Sequence, residues 1–515
     1  MPMRTHYIKI LSQNRILKID SNLNLLEALM RHGIFLRADC GGQGSCGKCR
    51  VELLSEDGRP ESVLACQTRV VQDLTIRIPE SAISSSFIMD KAQVDLPDSF
   101  YRRFQPLGAD RLGAAVDLGT TTVAVYLCDL LRGEVLSSIA LKNPQALYGA
   151  DVMSRITAVV HDVNTLNNMQ ALTVKGIQWG IDTLISKAAI PGAAVARMVA
   201  VGNPTMIHIL AGVDPSPLGT APYQPVFSRP RTFDAKSLGF DSTFPIQTLP
   251  NMSGFLGGDI LAAAQAADMI AQPDGTLLID LGTNGELVLK QNDQLFHATS
   301  CATGPAFEGA TLSCGIQAIP GAINGIELGP GRTLAGFSMV NPENRPGLKP
   351  TGICGAGVIS SVAQFCRSGV IRPDGAFSSG QDRFTLVPED SAQPALYLSQ
   401  KDIRSVQLGK SALITGIQFL LKRAGFDRPK KLIIAGAFGA YLPKPDLIRL
   451  GMIPDLEDDR IKIAGNLAGS GAVMAVCDPR SIQDATDMAA KIQTVELALD
   501  TQFQASFVEN LGFPA

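Results

Sequence analysis

Four thiols near the start of the chain, Cys40, Cys46, Cys49 and Cys66, are spaced C-x5-C-x2-C-x16-C, three of them within the run Ala38-Asp-Cys-Gly-Gly-Gln-Gly-Ser-Cys-Gly-Lys-Cys. Thiolates that converge on one small volume need a backbone able to wrap tightly around it. Gly41, Gly42, Gly44 and Gly47 can take the positive φ angles such a loop requires and let amide N–H groups point at inorganic sulfides. The pattern reads as an iron–sulfur ligand set. The long gap to Cys66 leaves room for one strand, Arg50 to Leu54, and a polar turn, Ser55 to Pro60, a return that favours two irons. One residue separates this spacing from the plant-type C-x4-C-x2-C, a difference of subtype rather than class. Four-cysteine zinc sites usually come as two C-x2-C knuckles, which this set does not form.

A second chemistry sits in an internal echo. Ala114-Ala-Val-Asp-Leu-Gly-Thr-Thr-Thr-Val-Ala-Val-Tyr and Leu277-Leu-Ile-Asp-Leu-Gly-Thr-Asn-Gly-Glu-Leu-Val-Leu share the scheme strand, Asp-Leu-Gly-Thr, strand. Each reads as a β-hairpin whose turn offers backbone N–H and hydroxyl donors to phosphate oxygens, while the aspartate can hold Mg²⁺ or its waters. One such hairpin is equally a plain structural turn. Two copies resemble the duplicated hairpins that close on one nucleotide in actin, heat-shock chaperones and sugar kinases. Lys431-Leu-Ile-Ile-Ala-Gly-Ala-Phe-Gly-Ala looks like the adenosine motif of that superfamily, a strand ending in Gly436 and Gly439 where missing side chains would admit base and ribose. Thr351-Gly-Ile-Cys-Gly-Ala-Gly-Val-Ile opens a helix with a glycine loop, readable either as a phosphate contact or as a close helix–strand approach.

The elements that must position these groups follow from pattern. Strands at Arg4 to Leu11 and Arg15 to Ile19, a helix through Leu25, Leu26, Ala28 and Leu29 stopped by Gly33, and a strand at Leu74 to Ile78 make a small β-grasp over residues 1–80. This resembles a [2Fe–2S] ferredoxin. Residues 81–110 lack periodicity and carry Ser84 to Ser86, Pro97 and Pro106, a linker that would let a redox domain swing. Residues 111–515 read as α/β in two lobes, with a packing face through Ile177, Ile181, Leu184 and Ile185. The expected fold is an α+β β-grasp ferredoxin followed by an α/β duplicated, ribonuclease H-like ATPase of the actin, heat-shock-chaperone and sugar-kinase (ASKHA) type.

At 515 residues the chain has material for two or more domains. A hydrophobic share of 45%, a charged share of 18% and a net charge of −3 carry no basic surplus for nucleic acid. No apolar run approaches the ~18 residues of a membrane span, and Met1 to Tyr7 lack a signal segment, so the expected site is the cytoplasm. The other six of ten cysteines, Cys128, Cys301, Cys314, Cys354, Cys366 and Cys477, lack ligand spacing and read as free core thiols. His208, in an apolar stretch, reads as a satisfied core histidine.

Longer strings are more specific than any hairpin. Tyr148-Gly-Ala-Asp-Val-Met-Ser-Arg, Val201-Gly-Asn-Pro-Thr-Met-Ile-His, Asp214-Pro-Ser-Pro-Leu-Gly, Gly254-Phe-Leu-Gly-Gly-Asp, Asp280-Leu-Gly-Thr-Asn-Gly-Glu, and Gly304-Pro-Ala-Phe-Glu-Gly-Ala with Ser313-Cys-Gly together resemble the reductive activators of corrinoid proteins. The resemblance implies ATP-dependent return of a Co(II) corrinoid, on a partner of a methyltransferase system, to Co(I), with the electron drawn from the chain's own [2Fe–2S] cluster. It further implies Mg²⁺ held by Asp117 and Asp280 and phosphates surrounded by Gly119, Thr120, Thr121, Thr122, Gly282, Thr283, Asn284 and Gly285. Glu286 would position a water, or would simply face solvent from its strand. No G-x-G-x-x-G opens a helix after a strand, so the electron must come from an external donor rather than a resident flavin or nicotinamide domain. A homodimer stays open. Three other readings stand beside this one: a small-molecule kinase of the same superfamily with the ferredoxin as redox sensor, an electron activator of another metalloenzyme, and a non-catalytic ATP switch.

Overall fold

The computed structural model describes residues 5–20, 23–38, 41–44, 47–55, 59–83, 94–106, 108, 111–190, 194–309, 312–342, 344–390, 394–436, 442–497 and 500–514. Strands β1 (Thr5–Ile10) and β2 (Arg15–Asp20), helix α1 (Leu25–Arg31) and strands β3 (Arg50–Leu54), β4 (Pro60–Leu64) and β5 (Leu74–Arg77) form the N-terminal domain. Its sheet runs β2-β1-β5-β3-β4, with β1 and β5 parallel and the other pairs antiparallel. A parallel pair needs a crossover, and α1 is part of it. Ile8 and Ile10 of β1 and Leu25, Leu26, Ala28 and Leu29 of α1 bury the two apolar faces against each other, and Gly33 at φ +76 ends the helical segment.

Helix α2 (Asp98–Arg103) follows, then β6 (Leu112–Leu118), β7 (Thr122–Asp129), β8 (Glu134–Lys142), α3 (Val152–His161), α4 (Asn164–Lys187), β9 (Arg197–Gly202), α5 (Pro204–Leu210), β10 (Thr232–Asp234), α6 (Ala235–Leu238) and β11 (Pro245–Thr248). After α7 (Gly258–Ala266) come β12 (Thr276–Leu281), β13 (Gly285–Asn292) and β14 (Leu295–Cys301). An inserted region holds β15 (Ala322–Leu328), β16 (Leu334–Met339), β17 (Gly352–Ile353), α8 (Gly355–Ser368), β18 (Arg383–Val387) and β19 (Leu396–Ser399). Helix α9 (Gln400–Ala424), β20 (Lys431–Ala435), α10 (Lys444–Arg449), β21 (Ile461–Ile463), α11 (Leu467–Cys477), α12 (Arg480–Ala489), β22 (Ile492–Thr494) and α13 (Phe503–Glu509) complete the chain.

The echo in sequence is an echo in topology. One sheet contains the order β11-β9-β6-β7-β8, the other β21-β20-β12-β13-β14. In both, an antiparallel meander is extended from its first strand by two parallel strands. A long crossover helix joins the third strand to the fourth in each, α4 lying on β7 and β8, α9 on β13 and β14. This is the ribonuclease H-like duplication of the ASKHA fold.

Two compact units emerge. The first comprises residues 1–92, 105–254 and 475–479, the second 93–104, 255–474 and 480–515. In the first, the ferredoxin sheet shares one core with the lobe that follows it: Phe35 meets Trp179 at 5.5 Å between ring centroids, and α1 lies against α4. The Tyr148 hydroxyl donates to Glu27 at 2.8 Å, and Arg31 bonds both Glu27 at 2.8 Å and Asn168 at 2.9 Å. A freely swinging domain would leave these groups in water; here they are docked. Residues 475–479 close the unit, since Arg197 donates to the carbonyls of Val476 at 2.8 Å and Cys477 at 3.2 Å.

In the second unit, α9 grips the C-terminal segment. The buried Lys410 ammonium donates to the carbonyls of Asn510 and Gly512, and Gln407 to that of Leu511 at 3.0 Å. The segment read as a linker contributes α2 to this unit, with Phe100 fully buried and Arg103 paired with Asp484 and bonded to Ser481 at 2.9 Å. Six residues amid prolines and serines carry too little periodicity to show a helix in sequence.

His208 is buried and satisfied at both ring nitrogens, by the Pro204 carbonyl at 2.6 Å and the Val226 N–H at 3.0 Å, and stacks on Phe227. The six scattered cysteines are free thiols, four buried and two half-buried. No helix among the described residues is long and apolar enough to cross a membrane. Truncating a fully buried phenylalanine leaves a cavity worth about 3–5 kcal/mol. Phe100→Ala should therefore lower unfolding free energy by about that much in urea titrations, whereas a detached linker would show no change.

Candidate functional site

The thiol site is built by a hairpin. Pairing of Arg50 with Leu64 puts Cys49, just before β3, opposite the residues just after β4, and the Ala65 N–H donates to the Cys49 carbonyl at 2.9 Å. That register brings the Cys49 and Cys66 Sγ atoms to 3.3 Å, with the residues 1% and 7% exposed. A tetrahedral metal with ~2.3 Å bonds to sulfur sets two thiolates about 3.8 Å apart, so the pair needs only a small opening to share one iron. Gly41, Gly42, Gly44 and Gly47 all have positive φ, from +66 to +86, the wrap expected of a cluster loop. Cys40 and Cys46 lie outside the described residues. Strand β4 is absent from the sequence reading because it opens on Pro60-Glu-Ser, poor strand formers.

The first hairpin turn is held from behind. The carbonyls of Gly119, Thr120 and Thr121 accept from the Asn143 side-chain amide at 2.8 Å, the Arg155 guanidinium at 2.6 Å and the Asn143 N–H at 2.9 Å. Asn203 donates to the Thr120 hydroxyl at 2.9 Å while its own oxygen caps α5. Arg155 is fully buried, and burial pulls its guanidinium down to about 9. A buried cation survives only if its donors are used; those of Arg155 reach Gly149, Gln145, Met206 and Thr120. Asp117, next to last in β6, is half-buried, Thr121 and Thr122 are half-buried in the turn and strand that follow, and a Cβ on Gly119 would sit 2.8 Å from the Thr122 carbonyl.

The second hairpin repeats the turn and adds acid. Gly282 N–H bonds the Asn284 carbonyl at 2.9 Å, and Thr303 donates to the carbonyls of Gly282 at 3.3 Å and Thr283 at 3.2 Å. The Thr283 hydroxyl donates to Glu308, and a Cβ on Gly285 would press on Thr303 at 2.9 Å. Asp280 pairs directly across the strands with Glu286, which accepts from Ser300 at 3.3 Å. Burial, then Asp259 at the start of α7, then Asp280, push the Glu286 carboxyl well above the usual carboxylate range. Such crowding of half-buried carboxylates makes it costly to ionise all three at once.

Glycine has other uses nearby. Gly436 follows β20 at φ +118, where a Cβ would lie 2.1 Å from the Leu281 carbonyl. The neighbouring backbone at the base of the second hairpin therefore requires glycine here. Gly439 lies outside the described residues. At Gly355 and Gly357 a Cβ would collide with the carbonyls of Phe307 at 1.6 Å and Ile323 at 2.1 Å, so that glycine loop serves close helix packing.

Family models for the RACo middle region and for the C-terminal (ASKHA) domain of RACo match residues 112–272 and 274–515, and a 2Fe-2S iron-sulfur cluster binding domain matches residues 8–71. The chain belongs to the RACo family. A corrinoid activation enzyme of Eubacterium limosum, RamQ, is 27% identical over 576 residues, 93% of this chain and 94% of the relative. The Methanosarcina barkeri reductase of a Co(II) methylated amine-specific corrinoid protein is 26% identical over 424 residues, 76% and 74% of the two chains. A solved reductive activator for a corrinoid, iron-sulfur protein superposes with a TM-score of 0.72 at 26% identity, covering 99% of this chain and 98% of that one.

Asn143, Arg155, Asn203, Asp259, Thr303 and Glu308 escaped the reading of single residues. Four of them stood inside the family's strings, and Asn143 carried its own signal as an N-cap ahead of Pro144. The raised Glu286 sets a pH test. A carboxyl that binds its proton more tightly when folded contributes stability at low pH and loses it as pH rises through its folded pKa. Glu286→Gln should therefore melt above wild type at pH 8 in the absence of Mg²⁺, with the gap closing as pH falls toward about 4.3. A gap independent of pH would remove the buried ionisation from the account.

Proposed function

We propose that this chain is an ATP-dependent reductive activator that returns the Co(II) corrinoid of a methyltransferase partner to Co(I). The reading is carried by one conjunction: a paired-thiol ferredoxin sheet and a duplicated hairpin ATPase fold in a single chain, similar over nearly its full length to proteins named for corrinoid activation. The task explains the conjunction. Each 59 mV uphill costs about tenfold in a one-electron equilibrium, and a plant-type cluster near about −400 mV is a weak donor for a very low-potential acceptor. Differential ATP binding can select the complex in which transfer is favourable.

A bound [2Fe–2S] cluster would supply the single electron, and Mg²⁺ would neutralise phosphate charge. The chain's own residues then divide the work. Cys40, Cys46, Cys49 and Cys66 would hold the cluster, and the positive φ of the glycines around them lets the backbone wrap it. Asp117 and Asp280 hold Mg²⁺ and its waters. Gly119, Thr120, Thr121 and Thr122 in one turn, and Gly282, Thr283, Asn284 and Gly285 in the other, would surround the phosphate oxygens. Arg155 and Asn143 take up carbonyls of the first turn, and Thr303 does so for the second. Glu286 positions the attacking water. An outside reductant recharges the cluster in a reducing cytoplasm, where free thiols persist.

Mixing reduced protein, Mg-ATP and a Co(II) corrinoid protein without oxygen should produce Co(I) absorbance; no ATP-dependent signal would return the chain to the kinase or switch readings. Cys49→Ser should bleach the visible cluster spectrum and abolish reduction while leaving ATP binding intact. Asp280→Ala should spare the spectrum and cut ATP-dependent turnover by about 10²-fold or more, the scale of losing a preorganised electrostatic group.

A further inference from the structure

One short 3-10 turn, Pro144–Leu147, lies between the cluster loop and the first hairpin, and it is tied at both ends. At its start the fully buried Asn143 bonds in three directions: its amide donates to the Gly119 carbonyl at 2.8 Å, its N–H to the Thr121 carbonyl at 2.9 Å, and its side-chain oxygen accepts from the Gln145 N–H at 2.9 Å. At its end the cluster loop rests directly on it. A Cβ on Gly41 would stand 3.1 Å from the Ala146 carbonyl, and one on Gly42 2.7 Å from Leu147 Cδ2. Both glycines have positive φ and present bare backbone to the turn. Tyr148, next in the chain, pins α1 through Glu27.

We propose that Asn143 and Leu147 are positioning residues that couple nucleotide occupancy of the first hairpin to the seating of the iron–sulfur loop. The proposal rests on the reading that the hairpin takes ATP and the loop a cluster. Phosphate oxygens drawn to the N–H side of the Gly119–Thr121 turn shift the carbonyls on its other side, and Asn143 holds two of those carbonyls. The Ala146 N–H bonds the Asn143 carbonyl at 3.0 Å and the Tyr148 N–H that of Gln145 at 2.9 Å, so the four-residue turn moves as a unit and passes the shift on. It emerges at Ala146 and Leu147, against Gly41 and Gly42, the residues that follow Cys40. Loop amides there set the hydrogen bonding to cluster sulfur, and that bonding tunes the potential.

Coupling between two sites is reciprocal, so it can be read from either end. The Kd of the full-length, cluster-loaded protein for a non-hydrolysable Mg-ATP analogue should be measured anaerobically with the cluster oxidised and again with it reduced. The two values should differ by about fivefold or more, the lower end of typical coupling. A redox titration should show the cluster midpoint moving by the same free energy on adding nucleotide. Leu147→Ala, a half-buried truncation, should keep the oxidised-state Kd and bring the ratio to about one; Asn143→Ala should abolish the ratio as well. Equal Kd values in both states of the wild type, or an undiminished ratio in Leu147→Ala, would overturn the coupling while leaving ATP binding in place. Failure to bind nucleotide in either state would instead strike the functional reading, and the coupling with it.

Discussion

A tight turn can lend its N–H groups to a ligand only if its carbonyls are satisfied elsewhere, and this requirement organises much of the molecule. Buried carbonyls left unpaired cost about as much as lost hydrogen bonds. At the first hairpin the cost is met by Asn143 and by Arg155, a charged side chain so deeply buried that it is tolerable only with its donors engaged. At the second, Thr303 does the same work with a neutral hydroxyl. The two turns therefore share an Asp-Leu-Gly-Thr string and a topology, yet differ in what stands behind them. The difference places a fixed positive charge behind one turn and carboxylates beside the other.

The duplicated sheets explain why the motifs land where they do. In each, the meander's first strand is central, so the aspartate near its end is flanked by a hairpin partner on one side and a parallel strand on the other. That flanking fixes backbone direction before any ligand arrives. Gly436 shows how close the fit is, since the parallel strand approaches until only hydrogen fits beside the Leu281 carbonyl.

How much of this was legible in sequence follows from whether the signal is local. Period-two alternation, glycine stops and the repeated Asp-Leu-Gly-Thr turns are local, and the ferredoxin sheet and both hairpins stand where those signals put them. Helix α2 and strand β4 were not legible, the one too short and the other too polar at its start. The contacts that hold the turns were illegible for another reason: Arg155 and Thr120 are separated by 35 positions, and nothing in either neighbourhood says that they meet. Gly436 was seen, but a missing side chain looks the same in sequence whether it makes room for a ligand or for the chain itself.

The way each unit is closed has a consequence for biosynthesis. The first unit needs residues 475–479 against Arg197, and the second needs the carbonyls of Asn510 and Gly512 on Lys410. A chain emerging from the ribosome at about 5–20 residues per second can assemble its ferredoxin sheet early, but each lobe must wait for a segment that lies far downstream of most of it. Until then the donors of Arg197 and Lys410 lack their carbonyl partners, an interval in which a holding chaperone would find its substrate and in which the thiol loop is already available for cluster loading.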